Sequence, residues 1–350
     1  MYTVKLKNFR YLLGLSFYLK VILVDLINLF KRSSDTKKLS HLDIEPTNIC
    51  NANCVFCGYQ FQKGAVYKTI DLEHVKKLLD SFCNAGGGDI GLTPIVGDPL
   101  VSKDLEKIIS MCHERKEVKN IGITTNAILL TPQRFMSLKN SGLTTIHISM
   151  TYPDQSEYES IYRSKSFNKL IDNLSGLMNI DTKEVDICIS VRTPRLFWKN
   201  HPLFKKATSL GWKLYRNIFF DDWSGTVEQG LIEHDLVKRP ERGKHLPCTM
   251  LQSGPHALAS GKLTACGCRD LEGKSELADA NIFKRFYEKG DLHEVYYKDI
   301  DVLRNRFLQG NHPSICVSCH HYNPEYRFAK ISDKILQLLQ DIKFLFRFAI

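Results

Sequence analysis

Three thiols stand within eight residues, Cys50, Cys54 and Cys57, in the stretch CNANCVFC. Their spacing is uneven, three residues and then two. Cysteine thiolates are soft metal ligands as well as nucleophiles and disulfide partners. An odd count completes no set of disulfides, and no fourth ligand lies nearby to close a tetrahedral zinc site. Three thiolates on a four-iron cube leave one iron open, and an open position on a metal can take a small chelating ligand. A second group lies far downstream, Cys248, Cys266 and Cys268, then Cys316 and Cys319 in CVSC. Four thiolates close either a cube or a tetrahedral zinc site. Cys83, Cys112 and Cys188 fall in helical or strand runs and read as ordinary buried cysteines.

Short β-rich runs alternating with helical ones must position these thiols. Residues 42–48, 89–96, 120–126, 145–150, 186–193 and 214–220 read as strands. Residues 71–85, 102–116 and 131–142 read as helices, with Thr131 as an N-cap. Ser141-Gly142 and Leu210-Gly211 read as helix ends. Six such repeats predict an α/β fold, a parallel sheet with helices outside, either a partial (β/α)6 TIM-like barrel or a doubly wound sheet. Both architectures carry function at the C-terminal ends of strands. There the sequence places the cysteine loop, then VGDP, TTNA, SMTYPD, RTPR and DDWSG. From about Val237 the rhythm stops, so residues 237–328 read as a small cysteine-rich domain after a barrel at 39–236, with residues 1–38 and 329–350 as terminal helical segments.

At 350 residues the chain can bury a full core, and 43% hydrophobic with 25% charged residues is an ordinary soluble composition. The net charge of +10 is spread along the chain; it suits acidic partners, anionic substrates or an anionic membrane surface and does not demand nucleic acid. Eleven cysteines with no cleavable signal point to a reducing, cytoplasmic setting. The run from Tyr11 to Phe30 is apolar but interrupted by Lys20 and Asp25, a poor spanning segment. Arg10, Ser16, Lys20, Asp25, Asn28 and Lys31 gather on one side of it, which predicts an amphipathic helix, and the chain's last twenty residues read alike. Such helices pack on the protein or on each other; a peripheral membrane contact or a partner surface is the alternative.

Cys50-x3-Cys54-x2-Cys57, with Phe56 before the last cysteine and a strand before the first, resembles the signature of the radical S-adenosylmethionine (SAM) enzymes. The resemblance implies a [4Fe–4S] cluster on the three cysteines, with SAM chelating the open iron through its amino and carboxylate groups. An electron then splits SAM, giving a 5′-deoxyadenosyl radical that removes a hydrogen atom from substrate. Gly97, Asp98 and Pro99 are similar to the family's Gly-Gly-Glu-Pro motif at the SAM amino group, with Val96 and Asp98 as departures. Asn126 in TTNAILL resembles the family's polar strand-end residue. Ser149 and Arg163 match positions that contact the ribose and carboxylate region of SAM. Arg192 joins the cofactor-binding set, and with Arg195 it can also bind an anionic substrate.

Cys248-x12-Gly261-x4-Cys266, followed by Cys316 and Cys319, resembles the family's SPASM or twitch auxiliary-cluster domain. That implies one auxiliary [4Fe–4S] cluster, with zinc as the other occupant four thiolates accept. Cys268 is a competing ligand, a spare thiol or a hydrogen donor. Asp221 or Asp222, in a rim stretch similar to Asn-Trp-Gly-Gly of some relatives, can act as the base a radical oxidation requires. His320 and His321 read as supporting or surface groups beside Cys319.

The resemblance runs roughly from Leu39 to Phe328. It implies a dehydrogenase-like radical SAM enzyme acting on a small or carrier-bound substrate, with a flavodoxin or ferredoxin as electron donor. A peptide- or protein-modifying maturase or an epimerase is the alternative within the family. Outside it, the alternative is a non-catalytic, zinc-stapled, membrane-peripheral interaction protein.

Overall fold

Six strands run parallel in chain order: β1 (His41–Ile44), β2 (Gly88–Gly91), β3 (Val118–Thr125), β4 (Thr145–Thr151), β5 (Asp186–Arg192) and β6 (Lys213–Asn217). The computed structural model describes residues 2–32, 39–61, 66–217, 219–220, 223, 227, 237–267, 270 and 291–349. Each strand neighbours the next, whereas a doubly wound sheet reverses its order at a switch point. Of the two readings left open by the sequence, the partial barrel is therefore the one adopted.

A long helix, α1 (Tyr2–Leu29), precedes the strands. Between them lie α2 (Leu72–Asn84), α3 (Leu105–His113), α4 (Pro132–Asn140), α5 (Gln155–Tyr162), α6 (Phe167–Leu177) and α7 (Pro202–Ser209). Val75, Leu78, Leu79 and Phe82 recur at helical spacing on α2, while Ile146, Ile148 and Met150 alternate on β4, and all are buried. These two periods build one continuous core. Asp71 caps α2 by accepting from Glu73 N and His74 N, and Thr131 caps α4 by accepting from Arg134 N at 3.1 Å. Each cap contributes about 1 kcal/mol. Gly142 and Gly211 follow α4 and α7 with φ of +105° and +85°, the left-handed turn glycine supplies without a Cβ clash.

Three strands end well before the sequence predicts, one of them β2, which stops at Gly91 and not at Val96. β1 stops at Ile44 because Glu45 turns inward, its buried carboxylate accepting from Ile95 N (3.1 Å) and Ala259 N (2.9 Å). The last predicted strand divides: β6 ends at Asn217, and β7 (Phe219–Phe220) pairs instead with β8 (Val237–Lys238).

The cysteine-rich segment joins the sheet. It contains α8 (Met250–Ser253), β9 (His256–Ala257), β10 (Leu263–Thr264), α9 (Leu292–Leu308) and α10 (Ser314–Val317), before α11 (Ile331–Ala349). β9 pairs parallel to β1 and β10 antiparallel to β9, so the full order is β10-β9-β1-β2-β3-β4-β5-β6.

α11 runs antiparallel along α1. Lys334 Nζ donates to Lys31 O (2.8 Å), while nearer the chain end Asp341 and Asp25 share Arg242. Asp25, which periodicity groups with the polar side of an amphipathic helix, is fully buried. Periodicity groups polar residues on one side of a helix without saying which side meets water. Tyr11–Leu29, with mean hydropathy 1.9, is also long and apolar enough to cross a membrane by length and composition, against the sequence reading of a poor spanning segment.

Candidate functional site

The C-terminal strand ends open on a cavity of about 330 Å³, within the range of small-molecule sites. Cys50, Cys54 and Cys57 line it, with Gly97 and Asp98 after β2, Thr125 and Asn126 at β3, Ser149 on β4, Arg192 on β5 and Asn217 on β6. Phe56, Tyr162, Phe219, Phe220 and Trp223 supply aromatic walls.

Backbone bonds hold the cysteine loop in place. Asn53 N donates to Tyr162 O (3.2 Å), Val55 N to Ile161 O (2.9 Å) and Asp98 N to Ile49 O (2.9 Å). Gly97 has φ +130°, and a Cβ there would stand 2.9 Å from Thr47 O, so only glycine lets the loop after β2 lie against the cysteine loop. Burial pushes the Cys50 thiol up to about 12, with Asp98 and Cys57 adding negative charge nearby. Burial also lifts Cys54 well above an ordinary thiol, helped by Cys57 and Cys50. Three thiols that discourage one another's ionisation give up their protons when a cationic group compensates them. Among the described residues no three His, Cys, Asp or Glu side chains converge closely enough for a single metal ion. Three cysteines lining one cavity of this size fit a polynuclear cluster.

Asp98 is 2% exposed and acts as an anchor. Its Oδ2 accepts from Thr125 Oγ1 and Asn126 N, both at 2.8 Å, and its Oδ1 from Leu100 N at 3.0 Å. Burial raises its pKa and these bonds oppose the rise. The shorter carboxylate that departs from the family motif thus ties the loop after β2 to the end of β3. Asn126 in turn donates from Nδ2 to Asn51 Oδ1 (2.7 Å), with Cys50 Sγ 4.0 Å away, and accepts from Ile128 N (3.0 Å). Asp98→Ala, which strands three buried donors, is expected to lower unfolding stability by about 3 kcal/mol, and Asp98→Asn by less, measured by urea denaturation.

Arg192 is stacked and pinned. Its guanidinium carbon lies 4.0 Å from the Phe56 ring centroid, and Nη1 donates to Ser149 Oγ and, at 3.5 Å, to Tyr162 OH. Ser149 Oγ and Tyr162 OH are 3.1 Å apart. Arg192 Nε and Asn51 Nδ2 are buried with no hydrogen-bond partner among the described residues. Buried unpaired donors beside such a cavity fit an anionic or sulfur-rich occupant.

Other predicted residues stand elsewhere. Arg163 ends α5 with φ +48°, donates from Nη1 to Gln60 Oε1 (2.5 Å) and is not among the cavity residues. Pro99 opens a single 3-10 turn, Pro99–Val101, behind the lining. Arg195 lies over the Tyr152 ring (4.2 Å) and pairs with Glu157 (3.0 Å). Asp221, Asp222 and Cys268 lie outside the described residues.

Sequence reasoning missed Tyr162 and Trp223. Tyr162 sits one residue before the arginine it singled out, and helical phase turns it inward. Trp223 lies within the rim stretch already noted; its Nε1 donates to Phe56 O (2.8 Å).

Cys248, Cys266, Cys316 and Cys319 line a second, apolar cavity with Leu251, Phe307 and Tyr322. Burial and the neighbouring Cys266, Cys248 and Cys319 all push the Cys316 thiol up. His321 lines both cavities. His320 Nδ1 meets Arg239 O at 2.8 Å.

The Radical SAM superfamily model matches residues 44–189. GTP 3',8-cyclase of Clostridium botulinum is 31% identical over 155 residues, 43% of this chain and 47% of the relative. Molybdenum cofactor biosynthesis protein 1 of Mus musculus is 28% identical over 166 residues, 47% of this chain and 26% of the relative. The chain spans about half the length, or less, of these curated relatives. Among solved structures, BtrN in complex with AdoMet and 2-DOIA has a TM-score of 0.52 at 14% identity, covering 78% of this chain and 89% of that one. Streptococcus suis SuiB bound to precursor peptide SuiA has 0.51 at 13%, covering 81% and 70%. At such identities the likeness is one of fold.

Proposed function

We propose, from the premise that residues 44–189 form a radical SAM domain, that this enzyme oxidises a small or carrier-bound substrate with an auxiliary cluster as electron acceptor. The observation that carries the reading is the convergence of Cys50, Cys54 and Cys57 with Asn126, Ser149 and Arg192 on one cavity, next to a second four-cysteine cavity. When bound and reduced, a [4Fe–4S] cluster with SAM supplies the means to remove a hydrogen atom from an unactivated C–H bond.

The chain's own residues have separable tasks. The Cys50, Cys54 and Cys57 thiolates would hold three corners of the cluster. Asn126 and Asn51 fix the loop at Cys50, and Gly97 presents its backbone at the cavity. Arg192, stacked on Phe56, would offer its unpaired Nε–H to a carboxylate, and its neighbour Ser149 a hydroxyl. Phe56, Phe220 and Trp223 exclude water from the cavity. Cys248, Cys266, Cys316 and Cys319 would hold the auxiliary [4Fe–4S] cluster with every iron closed, as in a SPASM or twitch domain. Loss of a hydrogen atom, one electron and one proton completes a two-electron oxidation. The auxiliary set would accept the electron, and Asp221 or Asp222 would take the proton.

A cytoplasmic setting with a reduced flavodoxin or ferredoxin suits the thiol-rich chain and its net charge of +10. The domains would then divide near residues 39, 237 and 329, with β9 and β10 fastening the cysteine-rich segment to the barrel.

Anaerobic reconstitution followed by an assay for 5′-deoxyadenosine with dithionite and SAM tests the proposal. The expected result is reductive cleavage with roughly eight irons per chain. About four irons with cleavage would reassign the downstream cysteines, and no cleavage would sink the reading.

A further inference from the structure

Surface helices normally turn polar residues to water, and α1 and α11 do the reverse. On α1, Tyr18, Val21 and Asp25 are buried against the body, and Tyr18 OH donates to Glu241 O at 2.8 Å. At about 3.6 residues per turn the opposite side presents Leu12, Leu19, Leu23, Leu26 and Ile27, with Phe30 just past the helix end. All six are exposed, Phe30 by 87%. On α11, Lys334, Gln337 and Asp341 are buried while Ile335, Leu339 and Phe346 are exposed. Both inner sides face Arg242, whose Nη2 donates to Asp25 Oδ1 (2.8 Å) and Asp341 Oδ2 (2.7 Å). Both apolar stripes therefore point away from the body on the same side.

Two further features identify what this face fits. Its buried charged groups, Asp25, Asp341 and Arg242, pair with one another and leave the outer side to apolar side chains. Among the described residues of the two helices and the three that follow α1, every exposed charged side chain is cationic: Lys20, Lys31, Arg32, Lys343 and Arg347. Two copies of the chain meeting through this face would bring like charges together. Anionic headgroups complement them.

We propose that the α1–α11 pair lays the protein flat on an anionic lipid bilayer, the leucine, isoleucine and phenylalanine stripes entering the acyl boundary. Crossing the bilayer would require α1 to leave Arg242 and expose Asp25, so the helix lies on the membrane and does not span it. The docked face is close to the chemistry. The Phe17 ring meets the Phe219 ring edge-on at 5.5 Å, and Phe219 lines the cysteine cavity.

Flotation of the full-length chain with phosphatidylcholine vesicles, with and without phosphatidylglycerol, tests this independently of any reaction. The protein is expected to float with the phosphatidylglycerol vesicles and to be released by salt. Leu23→Glu with Leu339→Glu is expected to lower partitioning at least about tenfold with an unchanged melting temperature. Lys343→Glu should weaken binding to the anionic vesicles alone. Protein that stays unbound with both vesicle types overturns the proposal. So does a stable dimer, split by the double variant, that binds no lipid; that result assigns the face to a second copy.

Discussion

Cys54→Ala is expected to reduce reductive SAM cleavage by at least about a hundredfold while leaving the chain folded. Even a partner one shell out from a metal contributes about 10- to 100-fold to affinity or activity, and a direct ligand contributes more. Cys54 is the most buried of the three thiols, at 9% exposure. On the proposed ligation, two thiolates would then have to hold a cube that already leaves one iron to SAM. The loop itself does not depend on the thiol, because Asn53 N and Val55 N remain bonded to Tyr162 O and Ile161 O. Circular dichroism and melting temperature should therefore match the wild type, while iron content falls by the share of one cluster. Cys112→Ala is the matched control: a fully buried cysteine on α3, away from the cavity, whose loss should leave cleavage intact. Undiminished 5′-deoxyadenosine formation by Cys54→Ala would remove the ligand assignment.

What the sequence made legible follows from the range of the interactions involved. The cysteine loop, the Thr131 cap and the strand-end positions of Asn126 and Ser149 are local patterns, visible within a few residues. The choice between barrel and doubly wound sheet depends on strand order, which repeats alone do not encode. β9 and β10 span two residues each, too short to show a period of two. Arg163 and Arg192 exchange prominence for a geometric reason. Arg163 lies past the end of α5 in a left-handed conformation that turns it to Gln60, whereas Arg192 ends β5 and points where Ser149 and Phe56 meet it. The inverted burial of α1 and α11 was the least legible feature, since its cause, Arg242, lies 217 residues from Asp25.

Arg242 carries the second large effect. Arg242→Met is expected to lower stability by about 3–5 kcal/mol, because it leaves the Asp25 and Asp341 carboxyls together in a buried site. Both are 0% exposed. Burial, and a hydrogen bond with Asp341, already lift the Asp25 pKa to about 7 despite the arginine. Arg242→Lys should recover only part of the loss, since a single ammonium cannot reproduce a fork that meets Asp341 through Nε and Nη2 and Asp25 through Nη2. Adding Asp25→Asn to Arg242→Met should restore more stability than the two separate changes predict, because it removes a charge that no longer has a partner. The damage should also reach the second cysteine cavity. Asp341 accepts from Gly243 N (2.9 Å), and Gln337 accepts from His245 N (3.0 Å) and Leu246 N (3.1 Å), so α11 holds the strand of chain that leads into Cys248. Urea unfolding of the single and double variants, with iron retention after chelator challenge, separates the two effects. A variant as stable as the wild type would mean that the clamp contributes nothing net. A destabilised variant that keeps all its iron would confine Arg242 to the helix pair.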